Sequence, residues 1–391
     1  MNNKKMNRSK SLLLIGLILV CVVIPLQAQN ESSLELVGEL SFDRSEAGIG
    51  FGVRAIDIWV EGTLAIITAG TVVHLVDVSD LSNPTALSTI ELNRGDISWD
   101  AKLHNSFAYI GLQATGGNTS VRIYDVSDPT SPELVHNYAN DTFAGAHNIF
   151  ITENVLFIAS FSAQGGSLGP FVINQGIWMV DISDPDNPQD IGQLLTDDGE
   201  PIPTVHDLTV IENRAYIAGW NSGFWIVDFE NLDNPSQLIH SVFRNHAYRG
   251  NDFGPPSNHN VWPSEDGNLL WTTDEVLGEF VRVFDISDAD NIQLLGEISV
   301  RPGSLPHNVM VNGEFAYVSY YRNGLQVLRY DEDAGEIIKV SDFQTAGSTP
   351  PSNPFQGAFG LFVLENHVLV SDTVNGLVVL EKGELLNPTN E

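Results

Sequence analysis

One phrase, repeated along the chain, constrains the fold more than any other feature. It reads His74-Leu75-Val76-Asp77-Val78-Ser79-Asp80, then Arg122-Ile123-Tyr124-Asp125-Val126-Ser127-Asp128. It returns as Trp178-Met179-Val180-Asp181-Ile182-Ser183-Asp184 and as Arg282-Val283-Phe284-Asp285-Ile286-Ser287-Asp288. Weaker copies are Trp225-Ile226-Val227-Asp228-Phe229, Gln326-Val327-Leu328-Arg329-Tyr330 and Leu377-Val378-Val379-Leu380. Pro84, Pro132, Pro188 and Pro235 follow several of them. A second phrase lies upstream of each copy, beginning near Asp57, Asp100, Asn148, Asp207, Asn260, Asn308 and Gly360. The spacings are 43, 48, 59, 53, 48 and 52 residues, the repeat length of a four-stranded propeller blade with loop insertions.

Within one unit, Asp57 to Val60, Leu64 to Thr68, Val72 to Val78 and Leu87 to Leu92 read as four short strands. They are rich in β-branched residues and bounded by Gly, Asn, Asp and Pro. No helical period of useful length follows residue 30. Seven units of four strands predict an all-β fold, a seven-bladed β-propeller of antiparallel blades. The seventh unit runs out after its third strand, at Leu377 to Glu381. At the other end, Leu34 to Leu40 resembles the fourth-strand phrases Gln193-Leu194 and Leu295-Gly296-Glu297-Ile298. The N-terminal strand is therefore expected to complete the last blade and remove a free edge.

The repeated phrase resembles that of the LVIVD-repeat family of exported bacterial and archaeal β-propeller proteins. The resemblance spans nearly the whole chain after its leader. It implies the propeller fold and says little about chemistry, because the family has no settled activity.

The first 28 residues read as a secretory signal peptide: Lys4, Lys5, Arg8 and Lys10, then an apolar run from Leu12 to Ile24, then Leu26-Gln27-Ala28. The run is short of the roughly 20 residues that span a bilayer. The expected location is secreted, periplasmic or on the cell surface, with no membrane span after cleavage. An uncleaved anchor is the alternative. Cleavage after Ala28 leaves residues 29–391 as one propeller domain and removes Cys21, the one cysteine. Packing and strand pairing, not disulfides, must hold the fold.

The chain carries a net charge of −32, which becomes −36 without the four leader cations, and keeps three lysines: Lys102, Lys339 and Lys382. Such a surface repels nucleic acid and anionic membranes and attracts cations or basic partners. A soluble monomer is expected.

Propeller geometry assigns faces. If the first strand of each blade lines the channel, then loops between strands two and three, and between strand four and the next strand one, share one face, here called the top. The Asp-x-Ser-Asp-Pro turns fall on the bottom. They do not match a calcium loop and read as local Asp–backbone turns. At the top of strand one, four consecutive blades carry His147-Asn148, His206-Asp207, His259-Asn260 and His307-Asn308. The other three carry Ile56-Asp57, Trp99-Asp100 and Phe359-Gly360. Two readings stand. The imidazoles of His147, His206, His259 and His307 suit a divalent transition metal as cofactor. Alternatively, each His bonds the neighbouring blade's backbone and each Asn or Asp caps the start of a strand.

Further candidate ligand-binding residues are Asp57, Asp100 and Asp207 near the channel, with Arg244, His246, Tyr248, Arg249, Tyr321 and Arg322 in top loops. Long loops on one face of a rigid scaffold commonly carry binding residues. Gly165-Gly166-Ser167-Leu168-Gly169 matches a nucleophile-elbow string but lacks the following helix. No complete catalytic constellation is legible, and whether the chain is an enzyme stays open. The leading expectation is an exported binding protein whose top face holds a protein, glycan or small ligand. The alternative is a metal-dependent hydrolase or oxidoreductase.

Overall fold

The computed structural model describes residues 34–47, 51–114, 120–139, 145–160, 176–195, 199–220, 222–229, 240–244, 257–275, 280–288, 291–300, 303–347 and 351–387. Residues 1–28, read above as a leader, and the Gly165–Gly169 string lie outside the described residues. Ser32–Glu391 forms one compact unit.

The chain folds into seven four-stranded antiparallel sheets. Blade 1 is Ile58–Glu61, Leu64–Thr68, Val72–Asp77 and Thr85–Glu91. The first strands of blades 2 to 7 are Ala101–His104, Ala146–Thr152, Asp207–Ile211, Asn258–Pro263, Val309–Asn312 and Ala358–Val363. Each first strand packs against those of both neighbouring blades, so the seven close into a ring around the channel. Among the described residues no helix is long and apolar enough to cross a membrane.

Burial explains why the repeat reads as it does. A second strand is sandwiched between neighbouring blades on both faces, so Val155–Ser160 is buried at all six positions and its sequence is apolar up to the final Ser160. The fourth strands form the rim and are largely exposed, as Thr85–Glu91 is. Between strands three and four the register slips by one residue at Leu75/Val76, Ile123/Tyr124, Met179/Val180, Val283/Phe284 and Val327/Leu328. The slip falls at one place in the repeat, just before the Asp position (Arg329 in blade 6), and adds the twist that a bulge brings.

The last blade closes as expected. Leu34–Leu40 pairs antiparallel with Gly376–Lys382, from Leu34 opposite Lys382 to Leu40 opposite Leu377. Its Gly38 packs so tightly against blade 1 that a Cβ would collide with the Leu81 carbonyl. The bottom turns are Asp–backbone turns. Ser79 N, Ser127 N, Ser183 N and Ser287 N donate to Asp77, Asp125, Asp181 and Asp285 at 2.8 to 3.0 Å. These bonds hold the Asp77 and Asp125 carboxyls below the usual range.

The candidate site at the channel mouth

Side chains at one repeat position, at the top end of each first strand, meet as a closed girdle. Ring centroids lie 5.9 Å apart for Trp99–His147, 4.6 Å for His147–His206 and 4.1 Å for His206–His259. The series continues at 4.0 Å for His259–His307 and 4.1 Å for His307–Phe359, and Phe359 returns to Trp99 at 6.3 Å. Ile56, the seventh member, is fully buried against Trp99 and Phe359. The girdle thus has an apolar arc and a four-histidine arc. Trp220 stacks on His206 at 5.0 Å.

The seams between blades run through this layer. Several blades donate to the carbonyl of the girdle residue in the next. Thr68 Oγ1 donates to Trp99 at 3.2 Å, Ser319 Oγ to Phe359 at 2.5 Å and Ser371 Oγ to Ile56 at 2.6 Å. The histidines join in: His206 Nδ1 donates to the His259 carbonyl at 3.2 Å and His307 Nδ1 to the Phe359 carbonyl at 2.8 Å. A carbonyl only accepts, so Nδ1 carries the proton in both rings and Nε2 keeps its lone pair.

His147 Nε2 lies 3.1 Å from His206 Nε2, so these two imidazoles engage each other. His259 and His307 turn instead toward Glu275, at the top of blade 5. His259 Nε2 is 3.7 Å from Glu275 Oε2, and one ligand atom each from His259, Glu275 and His307 lie within 4.8 Å of one another. The Tyr321 hydroxyl donates to the other Glu275 oxygen, Oε1. Burial pushes His147 to about 4 and His307 to about 3, and burial with the adjacent imidazoles holds His206 and His259 well below the usual range. All four are neutral ligand-type imidazoles near pH 7. Burial lifts Glu275 to about 7.

Directly beneath lies a polar layer made by the next residue of each blade. Lys102 pairs with Asp100 and lies 3.6 Å from Asp57. Asn260 Nδ2 donates to Asp207 at 2.5 Å. Asp100 and Asn260 also accept from Ile149 N and Val309 N of the next blades, at 2.8 and 2.9 Å. Gly360 is the seventh member, and a side chain there would run into Asp57. Burial would depress Lys102, but Asp100 and Asp57 overcome it and keep the ammonium charged. Burial lifts Asp57 well above the carboxylate range and Asp207 to about 7. Lower still, Trp59 meets Phe150 at 5.8 Å and Phe362 at 5.1 Å, with Lys102 over its ring. What remains of the channel is a polar cavity of about 50 Å³, room for a water or two.

The sequence-derived residues therefore separate. His147, His206, His259 and His307 adjoin in one arc, but the three-ligand group takes only two of them and adds Glu275, which sequence reasoning missed. Asp57, Asp100 and Asp207 sit below the girdle, bonded to Lys102 and Asn260. Tyr321 is buried and holds Glu275, while Arg322 reaches the Gly303 carbonyl at 3.5 Å. His246, Tyr248 and Arg249 lie outside the described residues, as does the Arg244 side chain. A separate cleft of about 400 Å³ opens on the bottom between blades 5 and 6, where Arg329 is paired with Glu314 at 3.1 Å.

The LVIVD repeat model matches residues 53–90, 96–140, 204–242 and 306–328, four of the seven blades that the geometry defines. The chain belongs to the LVIVD-repeat family. No curated protein sequence matches this LVIVD-repeat chain. Among solved structures it is similar to a chain of the mitotic checkpoint complex, with a TM-score of 0.60 and 14% identity over 97% of this chain and 98% of that one. The RRP9 WD40 repeats superpose with a TM-score of 0.57 at 8% identity, over 89% of this chain and 99% of that one. U3-55K gives 0.59 at 8% identity, over 89% and 98%. At such identities the likeness shows the fold alone, a seven-bladed propeller.

Proposed function

We propose that this LVIVD-repeat propeller is an exported binding scaffold that holds a protein partner on its girdle face. The observation that carries the reading is the asymmetry of the two faces. Bottom connections between strands one and two are mostly two-residue turns, such as residues 62–63, 105–106 and 153–154. Bottom connections between strands three and four are mostly about seven residues, as at 78–84 and 126–132, whereas the longest top connections, at 41–57, 195–206 and 344–357, run to twelve residues or more. Several are braced: Gly70 bridges to Ser98, Trp220 to Asn258 and Tyr321 to Ala358, and two small extra sheets lie there. A preformed irregular face on a rigid barrel of blades suits recognition. Phe355, 38% exposed, stands on this rim against Tyr321, the kind of aromatic that anchors interfaces. The charge of the chain favours a partner with a basic contact surface.

The reading of residues 1–28 as a leader supports a location outside the cytoplasm. The test is photo-cross-linking on the producing cells, with the reactive side chain at Phe355 on the top or at Leu134 on the bottom. One protein adduct from Phe355 and none from Leu134 is expected. Adducts of one partner from both faces, a glycan or small-molecule adduct, or no adduct from Phe355 would overturn the reading.

A further inference from the structure

We propose that His259, Glu275 and His307 form a binding site for a divalent transition-metal ion, zinc first among them, at the mouth of the channel. The inference stands on the geometry of three side chains and does not depend on the partner reading above.

Three observations converge. First, the donor set is two imidazoles and one carboxylate, with ligand atoms within 4.8 Å of one another. Zinc with three protein ligands of this type needs neighbouring donors roughly 3.3 Å apart at bonds of about 2.0–2.1 Å. The His259–Glu275 pair at 3.7 Å is close to that already, and a side-chain shift on the order of one ångström closes the rest. Second, the ligands are oriented from behind. His307 Nδ1 is tied to the Phe359 carbonyl and Glu275 Oε1 to the Tyr321 hydroxyl, which leaves His307 Nε2 and Glu275 Oε2 for an ion. Metal-binding histidines and carboxylates usually have such outer partners. Third, the carboxyl sits where an ion fits. The Glu275 side chain, 16% exposed, faces the His259 ring and the Tyr321 hydroxyl. The His259 ring faces the His307 backbone in the same sense as its neighbours, which leaves Nε2 toward Glu275. A divalent ion would supply the positive charge that Glu275 lacks, since the channel lysine is already held by Asp100 and Asp57.

Repetition separates this site from a mere seam. Seam bonding uses Nδ1 and recurs at His206 and His307. Glu275 follows Asp274 at the end of a second strand and belongs to no repeat phrase. Three protein donors leave a coordination position for water or a ligand from the top face.

The experiment strips the purified exported protein with chelator and titrates it with Co²⁺, read by visible absorption, and with Zn²⁺ in competition. One ion per chain is expected, with a low-symmetry cobalt spectrum. Glu275→Gln, which keeps an acceptor for Tyr321, and His307→Ala should each weaken binding at least about 100-fold. Tyr321→Phe should weaken it about 10-fold and leave the stoichiometry unchanged. Circular dichroism identifies any variant that fails to fold, and Glu275→Gln, the least disruptive change, then decides. No stoichiometric Co²⁺ or Zn²⁺ on the wild-type protein would overturn the proposal, as would affinity unchanged in Glu275→Gln. Loss of cross-linking at Phe355 would leave this inference standing.

Discussion

His307 Nδ1 lies 2.8 Å from the carbonyl oxygen of Phe359, the residue at the same repeat position one blade further on. That bond makes the histidine part of a seam, and it also fixes which nitrogen faces the channel mouth. His307→Ala in metal-free protein should therefore cost about 1–3 kcal/mol, through a lost buried hydrogen bond and a small cavity. Urea unfolding gives the number. A change below about 0.5 kcal/mol, the size of an ordinary surface substitution, would show that the seam does not need the imidazole.

Lys102 should be among the most sensitive positions in the chain. Its buried ammonium compensates Asp100 and Asp57 in the channel. Lys102→Met keeps the volume and strands the Asp100 carboxylate, a loss of about 3–5 kcal/mol for breaking a buried ion pair. The urea midpoint checks this, and a nearly neutral effect would mean that the channel carboxyls are already uncharged.

The pH dependence follows from Asp57. Burial, opposed by Lys102 and reinforced by Asp100, lifts its carboxyl well above the ordinary value of 3.8. The folded state then holds a proton that the unfolded chain releases above about pH 4. Stability from this group is full below that pH and is lost as pH rises toward the folded value. Thermal melts of wild type and Asp57→Asn from pH 4 to pH 8 should diverge, with the wild type falling more steeply. Parallel curves would contradict the assignment.

Closure of the seventh blade gives a further test. Deleting residues 34–40 leaves Gly376–Lys382 without its outer partner and exposes a strand edge. Size-exclusion chromatography should show aggregates or open oligomers in place of the intact chain's elution. A deletion variant that elutes and melts like wild type would mean the strand is dispensable.

Much of this was legible in the sequence. The repeat phrase carried the blade count, and Leu34–Leu40 announced itself as a missing fourth strand because it shares that strand's pattern. The histidine arc was legible for the same reason: a repeat position maps onto one ring of space. Two features were not. Glu275 lies in a loop outside the repeat, and only the chain's path brings it to His259. Lys102 left a faint signal. It stands where the other blades have Trp59, Phe150, Thr209, Trp262, Met310 and Phe362, so a cation at a channel position stood out against mostly apolar counterparts. The two histidine roles held as alternatives also proved compatible in space, since an imidazole has two nitrogens and the seam occupies one.

The most direct test of the account is anomalous diffraction from crystals soaked in zinc, recorded on both sides of the zinc absorption edge. The account predicts one strong peak at the channel mouth, among His259, Glu275 and His307, with His307 Nδ1 still on the Phe359 carbonyl. No peak there, or zinc held elsewhere while the girdle stays as described, would contradict it.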